Sequence, residues 1–344
     1  MSVQQMPAAR PNPFEIFQTI QGLQRAYALK AAIDLNLFTA IAEGNHTAGE
    51  LAKTCNAAER GVRILCDAMA AMGFLEKSGN RYSLTPDSAF FLDKNSPAYM
   101  GKAFNFLLHP TQVANYQKLG ECARRGGSLP ADSALAPEDP LWLDFARGMA
   151  PLMMPAAEAI AGLLQNELAA RPAVKILDIA ASHGIFGLTV TKRLPQAHIH
   201  ALDWANVLEV AKQNAEMQGV ADRYHLLPGS AFDVDYGSGY DAILITNLLH
   251  HFVPGENEKI LKKAYAALNS GGQVILLEFV PNDDRISPPA AALFSLTMLG
   301  NTPKGDAYTL TEFAEMFRNA GFPAPKLIPL DPMPQALVVA RKAF

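Results

Sequence analysis

The chain is poor in features that would place it in several large protein classes. Its 344 residues include three cysteines, Cys55, Cys66 and Cys122, an odd number with no CxxC spacing. That excludes a disulfide framework and leaves buried thiols in a reducing compartment. No apolar run approaches the ~18 residues that a membrane span needs. The opening MSVQQMPAARPNPFE lacks a charged start followed by an apolar stretch. A cytoplasmic protein with no signal peptide and no membrane contact is therefore expected. Charge imbalance is also scarce. A net charge of -4 argues against a nucleic-acid partner. No further His or carboxylate stands at ligand spacing around the histidine pair at 250 and 251, so no metal is expected.

What is present is ample apolar material, 49% of the residues, enough for ordinary cores. The length suggests two domains. Residues 1–13 read as a loose lead-in. From Phe14, the residues Phe17, Ile20, Leu23 and Tyr27 recur at helical spacing and form one apolar stripe. A second helix is expected over 31–41. Thr47-Ala-Gly-Glu50 is a capping box that opens a short helix. A third helix runs over 58–72 and stops at Gly73. Phe74–Lys77 and Arg81–Leu84, joined by Ser78-Gly79-Asn80, read as a hairpin. Helices followed by a hairpin are the layout of a winged helix. Over residues 1–100 it carries nine Lys/Arg and nine Asp/Glu. A neutral, apolar module suits burial between subunits better than phosphate contact. Residues 85–170 read as mostly helical, interrupted by Pro110 and a Gly/Pro-rich loop over 126–140, with a methionine-rich helix from Trp142 to Leu164.

From Val174 the texture alternates. β-rich runs at 174–179, 198–202, 225–227, 241–246 and 273–279 are interleaved with helical segments, the pattern of a parallel sheet covered on both faces. Runs at 326–329 and 336–340 fit a closing antiparallel hairpin. The first strand ends in Leu177-Asp178-Ile179-Ala180-Ala181-Ser182-His183-Gly184, a turn of small residues before a helix running to about Arg193. Small residues there let a nucleotide approach the backbone. Asp203, 25 residues after Asp178, ends the second strand at the spacing of an acid that binds ribose hydroxyls. A tight G-x-G-x-x-G is missing, which argues against NAD.

LDIAASHG, Asp203, the loop Gly229-Ser230-Ala231-Phe232 and the segment Asn247-Leu248-Leu249-His250-His251-Phe252 together resemble the motifs of class I S-adenosylmethionine-dependent methyltransferases. Their order is similar to that of the plant-type and bacterial small-molecule O-methyltransferase family, over about residues 14–342. The resemblance implies an α/β fold: a Rossmann-like seven-stranded methyltransferase domain over 171–344, preceded by a mainly α winged-helix dimerisation domain over 14–100 and a helical substrate-binding linker over 101–170. It implies S-adenosyl-L-methionine as cofactor, a small-molecule acceptor and a homodimer formed through the N-terminal domain. Asp178, Ala180, Ser182, Gly184, Asp203, Trp204, Ser230, Ala231, Phe232, Thr246 and Asn247 are the expected cofactor shell, with Ala231 or Phe232 against adenine. The family places glycines where this chain has Ala180, Ala181 and Ser182, and an acid where it has Ser230.

Methyl transfer needs the acceptor held in line and its proton removed. A histidine of pKa ~6.5 serves as base for a phenol of pKa ~10. His250 matches the family's base by position. Glu278 matches the first of two orienting glutamates. The second falls at Ala307, with Asp306 beside it as a substitute. His251 is expected to point elsewhere. Phe104, Phe106, His109, Tyr116, Phe145, Met149, Met153, Phe294 and Met298 are the expected acceptor pocket, because aromatic and thioether groups suit a flat apolar molecule. These readings favour O-methylation of an aromatic or polyketide-like hydroxyl. The alternatives are C- or N-methylating or non-methylating chemistry on the same cofactor, and a winged-helix regulator.

Overall fold

The stripe that begins at Phe14 folds as a helix, α1 (Phe14–Asp34), in a computed structural model that describes residues 11–129 and 139–343. Most of the expected lead-in and most of the Gly/Pro-rich loop lie outside the described residues. The chain forms two compact units that divide between Gly101 and Lys102.

In the first unit, α1 buries only Ala32 and Ile33. Phe14, Ile16, Phe17, Ile20 and Leu23 are each more than half exposed. The helix expected over 31–41 is interrupted. Asn36 adopts a left-handed φ of 56°, so α1 ends before it and α2 (Leu37–Ala42) starts after it. Asparagine tolerates this conformation better than most residues. The capping box forms as read: Thr47 Oγ1 accepts from the Glu50 N–H, and Glu50 accepts from the Thr47 N–H, starting α3 (Ala48–Thr54). α4 (Glu59–Ala71) buries Val62, Cys66 and Met69. The hairpin β1 (Leu75–Ser78) and β2 (Arg81–Leu84) pairs Leu75 with Leu84 and is followed by α5 (Pro86–Phe91). The Tyr82 hydroxyl donates to Asp67 at 2.6 Å, tying the wing to α4.

The second unit opens with α6 (Ala103–Leu107), α7 (Pro110–Gln117), α8 (Leu119–Arg125), α9 (Pro140–Gly148) and α10 (Ala150–Leu168). The methionine-rich segment is thus two helices. Pro151, in the first turn of α10, has no N–H to continue α9. The sheet follows: β3 (Val174–Ile179), α11 (Ile185–Arg193), β4 (Ala197–Asp203), α12 (Ala205–Met217), β5 (Tyr224–Pro228), β6 (Tyr240–Thr246), α13 (Pro254–Ala267), β7 (Leu268–Glu278), α14 (Pro289–Asn301), α15 (Leu310–Asn319), β8 (Lys326–Pro329) and β9 (Ala336–Arg341).

Strand order is β5-β4-β3-β6-β7-β9-β8. β3 through β7 are parallel, while β9 runs antiparallel to both β7 and β8. Each central strand is buried on both faces. Ile176, Ile199, Leu244 and Ile275 face a cluster with α10 and α11. Leu177, Ile243, Ile245 and Leu276 face another with α13 and α15. That two-sided burial accounts for the near-continuous apolar runs in the sequence. The strand order reverses between β3 and β6. Ligands of such sheets bind there, at the carboxyl ends of the strands. Asp178, Asp203, Thr246 and Glu278 all stand at those ends.

Candidate active site

The turn from β3 into α11 is tightly built. Ala180 and Ser182 adopt φ values of 59° and 51°, in the left-handed region that glycine enters freely. The strain falls where the family's glycines stand. Gly184 also meets a packing need that the sequence did not show. A Cβ there would lie 2.6 Å from Tyr224 Oη and 3.1 Å from Ala211 Cβ, so its smallness lets α11 pack against β5 and α12.

Two carboxylates flank this turn. Asp203 is half-buried and takes the N–H of Ser182 at 2.8 Å and that of Trp204 at 2.7 Å. Burial pushes its pKa up to about 6 against those two bonds. Asp178 is fully buried and takes only the Gly187 N–H, through Oδ2 at 3.2 Å. Burial, assisted by the nearby charge of Asp203, raises it to about 7 against that bond. Asp178 Oδ1, Ser182 Oγ and His183 Nε2 are buried without hydrogen-bond partners among the described residues. Buried polar groups are normally paired. Unspent donors and acceptors around one small-residue turn fit a polar adenosyl and amino-acid ligand, with Asp203 free to accept from sugar hydroxyls.

The loop after β5 closes the far side. Ser230 Oγ accepts from the Phe232 N–H at 3.1 Å. Phe232 lies edge-on to Phe252, with ring centres 4.9 Å apart. Lys263 of α13 holds the loop from behind, donating to the carbonyls of Ala231, Phe232 and Val234 at 2.9, 2.7 and 2.8 Å. Thr246 ends β6 and is buried. Asn247 follows with φ 52°, and its amide reaches Met153 Sδ at 3.6 Å.

Beyond Asn247 the chain makes a single tight turn, Leu249–His251. His250 Nδ1 meets Glu278 Oε2 at 2.5 Å, and both side chains are almost wholly buried. Glu278 Oε1 takes the N–H groups of Leu248 and Leu249 at 3.1 and 2.8 Å. A carboxylate on Nδ1 holds the proton there and leaves Nε2 as the basic nitrogen. Asp306 does not supply a second carboxylate to the ring. Its carboxylate pairs with Arg285 and the Ala307 N–H, and only its backbone N–H reaches His250, at the carbonyl.

His251 does not point away from the site as expected. In the tight turn its ring centre lies 4.3 Å from that of His250, and Trp142 meets it edge-on at 5.5 Å. Its Nδ1 is buried and unpartnered among the described residues. Burial, then the neighbouring His250, hold its pKa well below the imidazole range.

Six of the nine expected pocket residues fall into three groups. Phe106 and Phe145 meet edge-on at 5.0 Å, and Phe145 stacks on His183 at 6.1 Å. Phe294 packs on His250 at 4.9 Å and stacks on Phe279 at 3.7 Å. Met149, Met153 and Met298 are buried, and Met153 touches the site through Asn247. The other contacts differ in kind. His109 caps α7 through Nδ1, which accepts from the Thr111 N–H at 3.3 Å. Tyr116 bonds Thr297 at 3.0 Å and is 40% exposed. Phe104 is half-buried on α6. Three residues at the site were not singled out from the sequence. His183 lies inside the quoted LDIAASHG run, Trp142 is one of only two tryptophans, and Phe279 adjoins Glu278, which was singled out.

Among the described residues, no helix is long and apolar enough to cross a membrane, and no three side chains are placed to hold a metal ion. Known proteins match this architecture along nearly its whole length. Residues 145–323 match the model of the O-methyltransferase domain, and residues 17–94 that of the O-methyltransferase dimerisation domain. A 3-hydroxy-5-methyl-1-naphthoate 3-O-methyltransferase of Streptomyces sahachiroi is 29% identical, over 92% of this chain and 91% of that protein. The tetracenomycin polyketide synthesis 8-O-methyl transferase of Streptomyces glaucescens is 25% identical, over 96% and 97%. A provisionally assigned O-methyltransferase from Nostoc punctiforme, known as a crystal structure, is 47% identical with a TM-score of 0.91, covering 97% of this chain and all of that one. The strand-end site on a seven-stranded sheet, the His250–Glu278 pair and both domain matches agree: the chain belongs to the S-adenosylmethionine-dependent O-methyltransferase family, dimerisation domain included.

Proposed function

We propose that the chain methylates a hydroxyl of a flat aromatic or polyketide-like molecule, with His250 as general base and Glu278 as its orienting partner. The observation that carries this reading is the buried 2.5 Å contact between His250 Nδ1 and Glu278 Oε2. When bound, S-adenosylmethionine supplies an electrophilic methyl on a positively charged sulfur. Asp203 accepts from the sugar hydroxyls, Phe232 and Ala231 pack on the adenine, and the strained Ala180–Ser182 turn offers its backbone. His250 Nε2 takes the hydroxyl proton as the oxygen attacks, and Glu278 stabilises the imidazolium that results. Phe106, Phe145, Trp142, Phe279 and Phe294 supply ring faces that align the acceptor. The Streptomyces relatives named for a hydroxynaphthoate and for a polyketide pathway support this acceptor class. Residues 171–344 serve as the cofactor domain and 101–170 as the acceptor-binding linker. Formation of S-adenosylhomocysteine on a panel of hydroxynaphthalenes and hydroxyquinones tests the proposal. Methyl recovered on carbon or nitrogen would overturn it.

The winged-helix unit serves as the subunit interface of a homodimer. Its matched dimerisation domain and the uncovered apolar face of α1 support this. A contiguous apolar patch is rarely left to water.

A further inference from the structure

His183 is 1% exposed, and the proton-transfer pair makes no use of it. Its Nδ1 accepts the Ile185 N–H at 3.2 Å, whereas its Nε2 is buried with no partner among the described residues. A ring nitrogen that accepts an N–H carries no proton, so the one proton of the neutral ring sits on Nε2. Burial lowers the ring's pKa to about 3, so the neutral form persists at ordinary pH. The turn therefore fixes a dry N–H donor that has nothing to donate to. Leaving such a group unmatched is unfavourable in a folded core.

Its surroundings point to a ligand. Ser182, one residue earlier, also buries an unpartnered Oγ. The imidazole lies nearly parallel to Phe145 at 14°, and 5.8 Å from Phe186. Phe145 in turn meets Phe106 and Trp142. The donor thus stands where the cofactor turn joins the aromatic wall.

We propose that His183 Nε2–H binds an oxygen acceptor, a carboxylate or carbonyl, on a small molecule held in this cleft. The inference rests on the cleft being the cofactor and acceptor site. Two sources carry such an oxygen: the amino-acid end of the cofactor, and a carboxylate or carbonyl beside the reacting hydroxyl of the acceptor. In the second case His183 sets specificity, since an acceptor lacking that oxygen leaves the donor unpaired.

Two substitutions separate the functions of the ring. His183→Asn keeps an acceptor near the Nδ1 position for the Ile185 N–H but does not reach Nε2. His183→Gln reaches it. Calorimetry is run with S-adenosylhomocysteine and with 5′-methylthioadenosine, which lacks the amino-acid end. It is then run on the S-adenosylhomocysteine complex with 3-hydroxy-2-naphthoate and with 2-naphthol. A loss of about tenfold for His183→Asn, confined to S-adenosylhomocysteine or to the naphthoate, identifies the source, and His183→Gln recovers part of it. Unchanged affinity for every probe overturns the proposal. Should His183→Asn not fold, the ring N–H resonance of nitrogen-15-histidine-labelled wild-type protein gives the answer. It moves downfield on addition of the right probe, and a resonance unmoved by all four overturns the proposal. Wild-type protein that binds no S-adenosylhomocysteine would instead bring down the site assignment, and this inference with it.

Discussion

Glu278 joins two parts of the site through one carboxylate: Oε2 meets His250 Nδ1 at 2.5 Å, while Oε1 holds the N–H groups of Leu248 and Leu249. The same side chain sets the tautomer of the base and the shape of the turn that presents it. Chemistry and folding can therefore be separated by the choice of substitution.

Glu278→Gln is expected to abolish most activity while sparing the fold. Its carbonyl can still accept from Leu248 and Leu249, but its amide faces Nδ1 as a donor. Nδ1 must then accept, the proton moves to Nε2, and the base is lost. A fall in kcat of about 10²–10⁴ is expected, comparable to His250→Ala, with S-adenosylhomocysteine affinity little changed. Glu278→Ala should also lower Tm, because two buried N–H groups lose their acceptor at about 1–3 kcal/mol each. Steady-state rates and melting curves check both. A Glu278→Gln enzyme retaining most of wild-type kcat would exclude the His250 base.

Asp203 should make cofactor binding pH-dependent. Burial raises its pKa to about 6. The folded apo protein thus holds this proton more tightly than the unfolded chain, and this group's contribution to stability falls as pH rises from its ordinary range through about 6. Sugar hydroxyls favour the charged form and lower the pKa in the complex. The Kd for S-adenosylhomocysteine should therefore be flat above pH 7 and weaken by up to about tenfold per unit below 6. Asp203→Asn should bind weakly and lose that dependence. Calorimetry from pH 5 to 8 decides, and a flat wild-type profile would remove Asp203 from the ribose site.

Asp178 has a raised pKa of about 7 and an orphaned Oδ1 in a fully buried position. The cost of ionising it appears as pH rises above the ordinary carboxylate range and is complete above about 7. Asp178→Asn keeps an acceptor for the Gly187 N–H without the charge. Its apo form should melt several degrees above wild type at pH 8, a gain of about 1–3 kcal/mol after allowing for the unpaired amide. The two curves should converge near pH 4. A lower Tm for Asp178→Asn at pH 8 would show that another group stabilises the charged carboxylate.

Much of this architecture is legible locally. Apolar runs locate the central strands because β6 and the later part of β7 are buried on both faces and β3 nearly so. The Thr47 capping box is readable because both of its bonds span three residues. Asp203 and the LDIAASHG turn follow from the spacing of one β-α-β unit. What escapes depends on contacts distant in sequence or on one backbone angle. Asn36 splits a helix by a single left-handed φ. His251 turns inward because the Leu249–His251 turn is tighter than a strand or an α-helix. The unpartnered Nε2 of His183 is visible only once Phe145 of α9 is packed against its ring.

Lys263 should prove to be a cofactor-affinity residue that touches no ligand. Its ammonium bonds three carbonyls of the Ala231–Val234 loop and lies 4.3 Å above the Tyr236 ring. Lys263→Met leaves the Phe232 and Val234 carbonyls without this donor, while the Ala231 carbonyl keeps the Tyr236 hydroxyl at 2.7 Å, and loosens the loop that carries Phe232. A loss of about 1–2 kcal/mol in S-adenosylhomocysteine binding, roughly tenfold in Kd, is expected with kcat at saturation little changed. Equal affinities would show that the loop holds its shape without the clamp.

The α1 face gives the last prediction. Ile16, Ile20 and Leu23 are each about two-thirds exposed, with Phe17 close behind, whereas the same unit buries Leu37, Phe38 and Leu51 completely or nearly so. Leaving a large aliphatic side chain in water forgoes about 1.5–3 kcal/mol relative to burying it. Four such residues in two turns give a second copy of the helix ample reason to cover them. Light scattering at micromolar concentration should therefore find a dimer. The double substitution Ile20→Lys, Leu23→Lys places charges on the stripe without touching Ala32 or Ile33, the only residues that α1 buries. It should yield a folded monomer with its circular dichroism retained. A wild-type monomer, or a doubly substituted dimer, would move the interface off α1.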